Sequence, residues 1–156
     1  MASTGYPAPQ ELRYQQRLDH FKPEDTRRWP HRYLLNNDTW DGRGLLENGC
    51  RGPILLYTGN EGPIDAFWNV TGFVVETLAR SLGGLVLFSE QRFFGSSLPF
   101  GDASHTAEHL KYLTTAQVCR GWNRIDAWLH GPTYQRAWHL AHRLWIGPTS
   151  AKEAVS

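Results

Sequence analysis

Apolar residues gather in two short runs, Gly52-Pro53-Ile54-Leu55-Leu56-Tyr57 and Gly84-Leu85-Val86-Leu87-Phe88, each followed by a polar turn marked by glycine. Neither run alternates with polar residues. Short unbroken apolar runs fit strands covered on both faces, as in the parallel sheet of an α/β fold. Between them, Val74, Leu78 and Leu82 recur at a spacing of four, which predicts a helix over residues 71–82. Thr71 stands where an N-cap belongs, and Gly83-Gly84 where a helix stops. Strand, helix and strand in this order predict a right-handed crossover unit. Ligands in such folds bind beyond the carboxyl ends of the strands, where both polar turns fall.

The remaining pattern is weaker. Residues 12–21 can form a strand with Tyr14, Gln16, Leu18 and His20 on one face, and residues 31–35 a second strand closing a hairpin with it. Residues 22–28 are charged and read as a turn. Residues 36–51 are rich in Asn, Asp and Gly and read as loop, as do residues 102–105, while residues 108–112 read as a short helical piece. The first eleven residues, polar with two prolines, are expected to be a disordered tail.

Two turns carry the candidate chemistry, Tyr57-Thr58-Gly59-Asn60-Glu61-Gly62 and Glu90-x-Arg92-x-x-Gly95-x-Ser97-Leu98-Pro99-Phe100-Gly101. With the earlier Gln15-Gln16-x-Leu18-Asp19-His20-Phe21, they resemble the amino-terminal part of the serine peptidase family of lysosomal prolylcarboxypeptidase and dipeptidyl-peptidase II (peptidase family S28). The resemblance covers roughly residues 12–117. It implies an α/β fold, an incomplete α/β-hydrolase domain, and a lineage of serine exopeptidases that cleave after proline. It also implies that Gly59, Asn60 and Glu61 line the active site of a complete enzyme, on the turn that supplies an oxyanion-hole N–H in this fold. The alternative is an ordinary polar turn whose glycines need positive φ. Glu90 and Arg92 read as a structural ion pair anchoring the turn with Gly95, or as substrate contacts. The family usually has His, Tyr and Tyr where this chain has Gln91, Phe93 and Phe94, so three polar handles are missing there.

The catalytic set itself is not found in the sequence. The nucleophile of this fold sits in Gly-x-Ser-x-Gly, on a strained turn from strand to helix. Ser97 has Gly95 before it but Pro99 after it; Ser81 has Gly83 after it but Ala79 before it, and it ends a helix. With the serine go the acid and base, which follow it in the chain. The expectation is an inactive fragment, with a non-catalytic binding or truncated product as the alternative.

A zinc hydrolase is a distant third reading. His105-x-x-Glu108-His109 spells an inverted zinc-peptidase pair, with both histidines on one helical face. Such a site needs a third ligand, and only Asp126 and Glu153 follow as carboxylates. No metal and no cofactor are therefore expected.

From Val118 the character changes. Residues 118–156 hold four of the seven tryptophans, and five Lys or Arg against two acids. They read as a divergent tail, with a helix over residues 133–146 and no strand. Such an ending fits splicing, read-through or a frame shift. Without a following strand, the run from Ile54 to Tyr57 would present an open edge for self-association.

Composition narrows the partners. A net charge of +1 gives no long-range field for nucleic acid or an anionic membrane, and no run approaches the ~18 apolar residues of a membrane span. A peptide is the substrate that the resemblance implies. The family is lysosomal or secreted, although the first residues have neither the basic nor the apolar region of a signal peptide. Asn37 and Asn69 head Asn-x-Thr triplets and are glycosylation candidates. Cys50 and Cys119 are read as two unpaired thiols.

Overall fold

A computed structural model describes residues 7–40 and 52–130, with the backbone alone for 126–130. Its centre is a four-stranded mixed sheet. The strands are β1 (Gln10–Arg17), β2 (Arg28–Asn36), β3 (Ile54–Thr58) and β4 (Leu85–Ser89), in the order β1-β2-β4-β3. β1 and β2 form the expected antiparallel hairpin, with Tyr14 opposite His31 and Gln16 opposite Trp29. β4 runs antiparallel to β2 and parallel to β3, placing Leu55 beside Val86 and Tyr57 beside Phe88.

Alternation along the strands sorts the core into two layers. Leu34, Leu55, Val86 and Phe88 face the crossover helices, where Ile64, Trp68, Val75 and Ala79 complete a buried cluster. Tyr33, Ile54, Leu85 and Leu87 face the other way and pack on Ile125 of α3 (Thr115–His130). β4 is buried along its whole length because it is covered on both faces. Each of its large apolar side chains stabilises the fold by roughly 1.5–3 kcal/mol through burial.

Several boundaries differ from the sequence expectation. β1 ends at Arg17, because Leu18 turns to donate its N–H to the carbonyl of Arg27. The crossover is not one regular helix. A short α1 (Ile64–Trp68) comes first, then a π-helical stretch, Phe73–Leu78, and then α2 (Ala79–Leu82). Thr71 does not cap it; its hydroxyl bonds back to the carbonyl of Phe67. Gly83 does end it, in the left-handed region at φ 57°, with its N–H on Arg80 O. Residues 102–105, expected as loop, lie in a 3-10 turn, Gly101–His105, and a second such turn covers Leu110–Tyr112.

The point where the sequence changes character, Val118, falls inside α3. Val118, Gly121 and Ile125 are buried against the sheet. The helix expected over residues 133–146 and Cys50 lie outside the described residues, and Cys119 is a free, exposed thiol. Among the described residues no helix is long and apolar enough to cross a membrane.

Candidate functional site

The two polar turns meet at the carboxyl ends of β3 and β4. Gly59 donates its N–H to the carbonyl of Ser89 at 2.7 Å, which continues the parallel ladder by one step. A Cβ on Gly59 would stand 2.6 Å from both Ser89 O and Gln91 N, so only glycine fits this approach. Asn60 is half-buried and donates through Nδ2 to the Tyr57 hydroxyl at 3.1 Å, while Glu61 is exposed.

Glu90 holds the surroundings of that turn together. Its side chain is fully buried. Oε1 accepts the N–H of Ile64, the first residue of α1, at 3.1 Å, and Oε2 accepts the N–H of Ser96 at 3.1 Å. One carboxylate thereby ties the segment after β3 to the turn after β4. Gly95 makes room for it: φ is 56°, and a Cβ there would lie 2.0 Å from Glu90 Oε1.

The ion pair expected between Glu90 and Arg92 is not the one that forms. Glu90 pairs with Arg32 at 3.3 Å. Arg32 is itself buried and spreads its guanidinium over Asp65, bidentate at 2.7 Å, and over Glu11 at 2.8 Å. Those bonds hold the carboxyls of Asp65 and Glu11 below their usual range and raise the guanidinium's own pKa. The sequence reading missed Arg32. A charged residue within β2, directly before its apolar run Tyr33-Leu34-Leu35, was the signal, because a buried charge needs a partner.

Arg92 belongs to the opposite face. It donates to the carbonyl of Leu18 at 2.6 Å and to Oε1 of Gln117 on α3 at 3.2 Å. Burial pulls its pKa down to about 10. Gln117 also accepts the N–H of His20 and donates to Asp19, while Gln16 donates to the carbonyl of Gly121. The first motif, the Arg92 turn and the start of α3 therefore lock together. His31 lies beneath them, its Nε2 on the carbonyl of Glu90 and its Nδ1 facing Gln16. Burial lowers its pKa to about 4, so the ring is neutral and donates from Nε2.

The remaining candidates are scattered. Ser97 is buried, with its Oγ accepting the N–H of Arg32, and Ser81 donates to the carbonyl of Leu78 at the end of the crossover. No serine–histidine hydrogen bond occurs among the described residues. His105 and His109 do not share a helical face, because the chain there runs through 3-10 turns. His105 Nε2 meets the carbonyl of Phe93, and His109 stacks on Phe100 with its Nδ1 at Ala103 O. That geometry separates the two rings from a shared ligand point. Phe93 takes φ 71° while fully buried, an uncommon conformation for a large side chain. Asn37 and Asn69 are both exposed.

The family model for serine carboxypeptidase S28 matches residues 16–123. The chain belongs to the serine carboxypeptidase S28 family. Lysosomal Pro-X carboxypeptidase of Mus musculus is 41% identical over 108 residues, covering 69% of this chain and 20% of the relative. The Homo sapiens protein of the same name gives the same identity and coverage. Prolyl carboxy peptidase like protein 5 of Caenorhabditis elegans is 47% identical over 88 residues, 56% of this chain and 16% of its own length. The chain thus spans about a fifth of the length of these S28 relatives. The match includes the two turn motifs and, from Gln16 on, the first motif, and it runs into α3.

Proposed function

We propose that this chain is the amino-terminal part of an α/β-hydrolase domain from a serine exopeptidase that hydrolyses peptide bonds after proline. In this reading it supplies the floor and oxyanion-side turn of the site, not the reacting groups. The observation that carries the reading is the Gly59–Glu61 turn, pinned at the carboxyl ends of two parallel strands. Gly59 is fixed to Ser89, and the buried Glu90 braces the chain on both sides. An oxyanion hole needs backbone N–H groups that do not rearrange when charge develops, and such bracing provides that. A peptide carbonyl is the group this turn would receive. The Pro-X specificity and a lysosomal setting come from the names of the relatives, and two exposed Asn-x-Thr sites accord with that setting.

The chain alone is expected to be catalytically silent. Acyl transfer needs a nucleophile, a base to take its proton and a group to orient the base; losing that set costs on the order of a millionfold in turnover. The serines closest to the nucleophile motif, Ser81 and Ser97, have hydroxyls committed to backbone groups. The purified chain should neither cleave Pro-X peptides nor take up a fluorophosphonate probe. Covalent labelling of any serine overturns the silence, and labelling at Ser97 would make the Glu90 turn a reacting centre.

A further inference from the structure

His31 and Gln16 meet between the hairpin and α3 so that the protonation of one depends on the orientation of the other. Both are almost wholly buried. The ring donates from Nε2 to the carbonyl of Glu90, which leaves Nδ1 as a lone pair, and Gln16 Nε2 faces it at 3.4 Å. The same amide nitrogen donates to the carbonyl of Gly121 on α3 at 2.9 Å. An amide nitrogen has two hydrogens, and both are then in use. Gln16 Oε1, in contrast, is buried without a partner. Gly121 lets the helix come this close: a Cβ there would lie 3.3 Å from Gln16 Nε2, tighter than ordinary contact. A glycine in a helix interior costs about 1 kcal/mol against alanine, and the contact with Gln16 is what it permits here.

The surroundings oppose a second proton on the ring. The charges that bear on His31 are Arg92, from the turn after β4, and His20, from the segment after β1. Trp29 of the same strand stacks on the ring at 4.8 Å, with the Arg92 guanidinium 5.7 Å from the indole. Among the described residues no carboxylate pairs with His31. Asp19 accepts from Phe21 N–H and Gln117, and Glu90 points its carboxylate at Arg32, Ile64 and Ser96. On α3, Arg120 and Arg124 add positive charge near His20. Burial, followed by the charges of Arg92 and His20, brings the ring's pKa down to about 4. A proton on Nδ1 would set N–H against NH2. The acceptor that can answer it is Oε1 of the same Gln16, brought round by half a turn about the terminal bond, which exchanges two groups of nearly equal size. The carbonyl of Gly121 then faces an oxygen and loses its donor.

We propose that His31 and Gln16 form an acid-sensed latch between the hairpin and α3, in which a proton on His31 Nδ1 turns the Gln16 amide and frees the helix at Gly121. Gln117 keeps its bonds to Arg92, His20 and Asp19, so the start of α3 stays anchored while the turn from Gly121 to Ile125 loosens. The direction follows from linkage. The latched ring resists the proton, and the released ring takes it nearer the ordinary value of 6.5. Opening is therefore favoured as pH falls from 6.5 toward about 4, and is independent of pH above that window. One proton taken up on opening raises the open fraction by up to about tenfold per pH unit.

The inference stands apart from the proteolytic reading, since it concerns only the contact of the hairpin with α3. The test is hydrogen exchange on the full chain from about pH 7 to about pH 4, with protection corrected for the intrinsic rate at each pH. Protection from Gly121 to Ile125 should fall by up to about tenfold per pH unit through the window, and protection in β4 should fall less. His31→Gln, whose amide can replace the bond to the Glu90 carbonyl, should flatten the fall in α3 more than His20→Gln does. An equal loss in α3 and β4 would make the acid response global and overturn the latch. So would a fall that survives His31→Gln unchanged, or one that His20→Gln removes. If either variant fails to fold, NMR of the unaltered chain decides: the Gln16 side-chain amide protons should shift along the same pH curve as the His31 ring. Amide resonances that stay still while His31 titrates overturn the proposal.

Discussion

Gly95 and Gly101 share a left-handed backbone, at φ 56° and 54°, but not the same neighbours. Around Gly101 nothing lies within 4 Å of an added Cβ, whereas at Gly95 the Glu90 carboxylate fills that place. Alanine at Gly101 should therefore cost only the conformational term, about 1–2 kcal/mol. Alanine at Gly95 should cost that and also displace Glu90 from Arg32, Ile64 and Ser96, for a total of at least about 3 kcal/mol. Urea denaturation of the two variants measures the difference; equal midpoints would mean that Glu90 is not held as described. His31 sets the response to acid. Its pKa in the fold is about 4, below the ordinary 6.5, chiefly through burial. A depressed histidine favours the neutral fold, so its contribution is complete above pH 6.5, declines as pH falls from there to about 4, and changes no further below. His20, also lowered to about 4 by burial and nearby arginines, adds in the same direction. Thermal midpoints should fall across that window, and His31→Gln should flatten the fall.

At the scale of elements, β3 and α3 behave differently from the expectation that joined them. The sequence reads residues 118–156 as a divergent tail, yet α3 buries Val118, Gly121 and Ile125 on the sheet and receives Gln16. β3, in contrast, has β4 as its one strand neighbour among the described residues. A free edge of five residues with Leu55 buried and Leu56 half-buried is a template for another strand. The isolated chain should associate through Ile54 to Tyr57, with a sedimentation coefficient that rises with concentration. Leu56→Lys should oppose that association by placing a charge beside the edge. A single monomeric species across concentrations would remove the edge as a partner site.

Across the whole molecule, what could be read in advance followed from period and from turn chemistry. The unbroken runs at Ile54 and Leu85 announced strands covered on both faces, and Gly83 announced the end of the crossover. The hairpin followed from apolar and polar alternation. What escaped was cooperative. The π-helical turn over Phe73–Leu78 changes the hydrogen-bond pattern without changing which residues are apolar, so the spacing of Val74, Leu78 and Leu82 looks the same. Partner choice escaped for a similar reason. Glu90 and Arg92 are neighbours in sequence, but they leave the turn toward opposite faces of the sheet. Their partners, Arg32 and Gln117, are supplied by distant segments that only the folded topology brings close. The turns of the candidate site were visible as motifs, and Glu90 as an anchor of one of them; its partner Arg32 was not.

The position of β4 between β2 and β3 also bears on how the chain is made. β2 and β3 have no strand that pairs with both until β4 has left the ribosome. At ~5–20 residues per second, the hairpin can close early, while the apolar run at Ile54 waits for seconds beside an unfinished crossover. The opposite face waits longer still, because Ile125 is translated after every strand it covers. A nascent chain of this order is therefore most exposed just before β4 is inserted. That interval is when a chaperone has most of its apolar surface to hold.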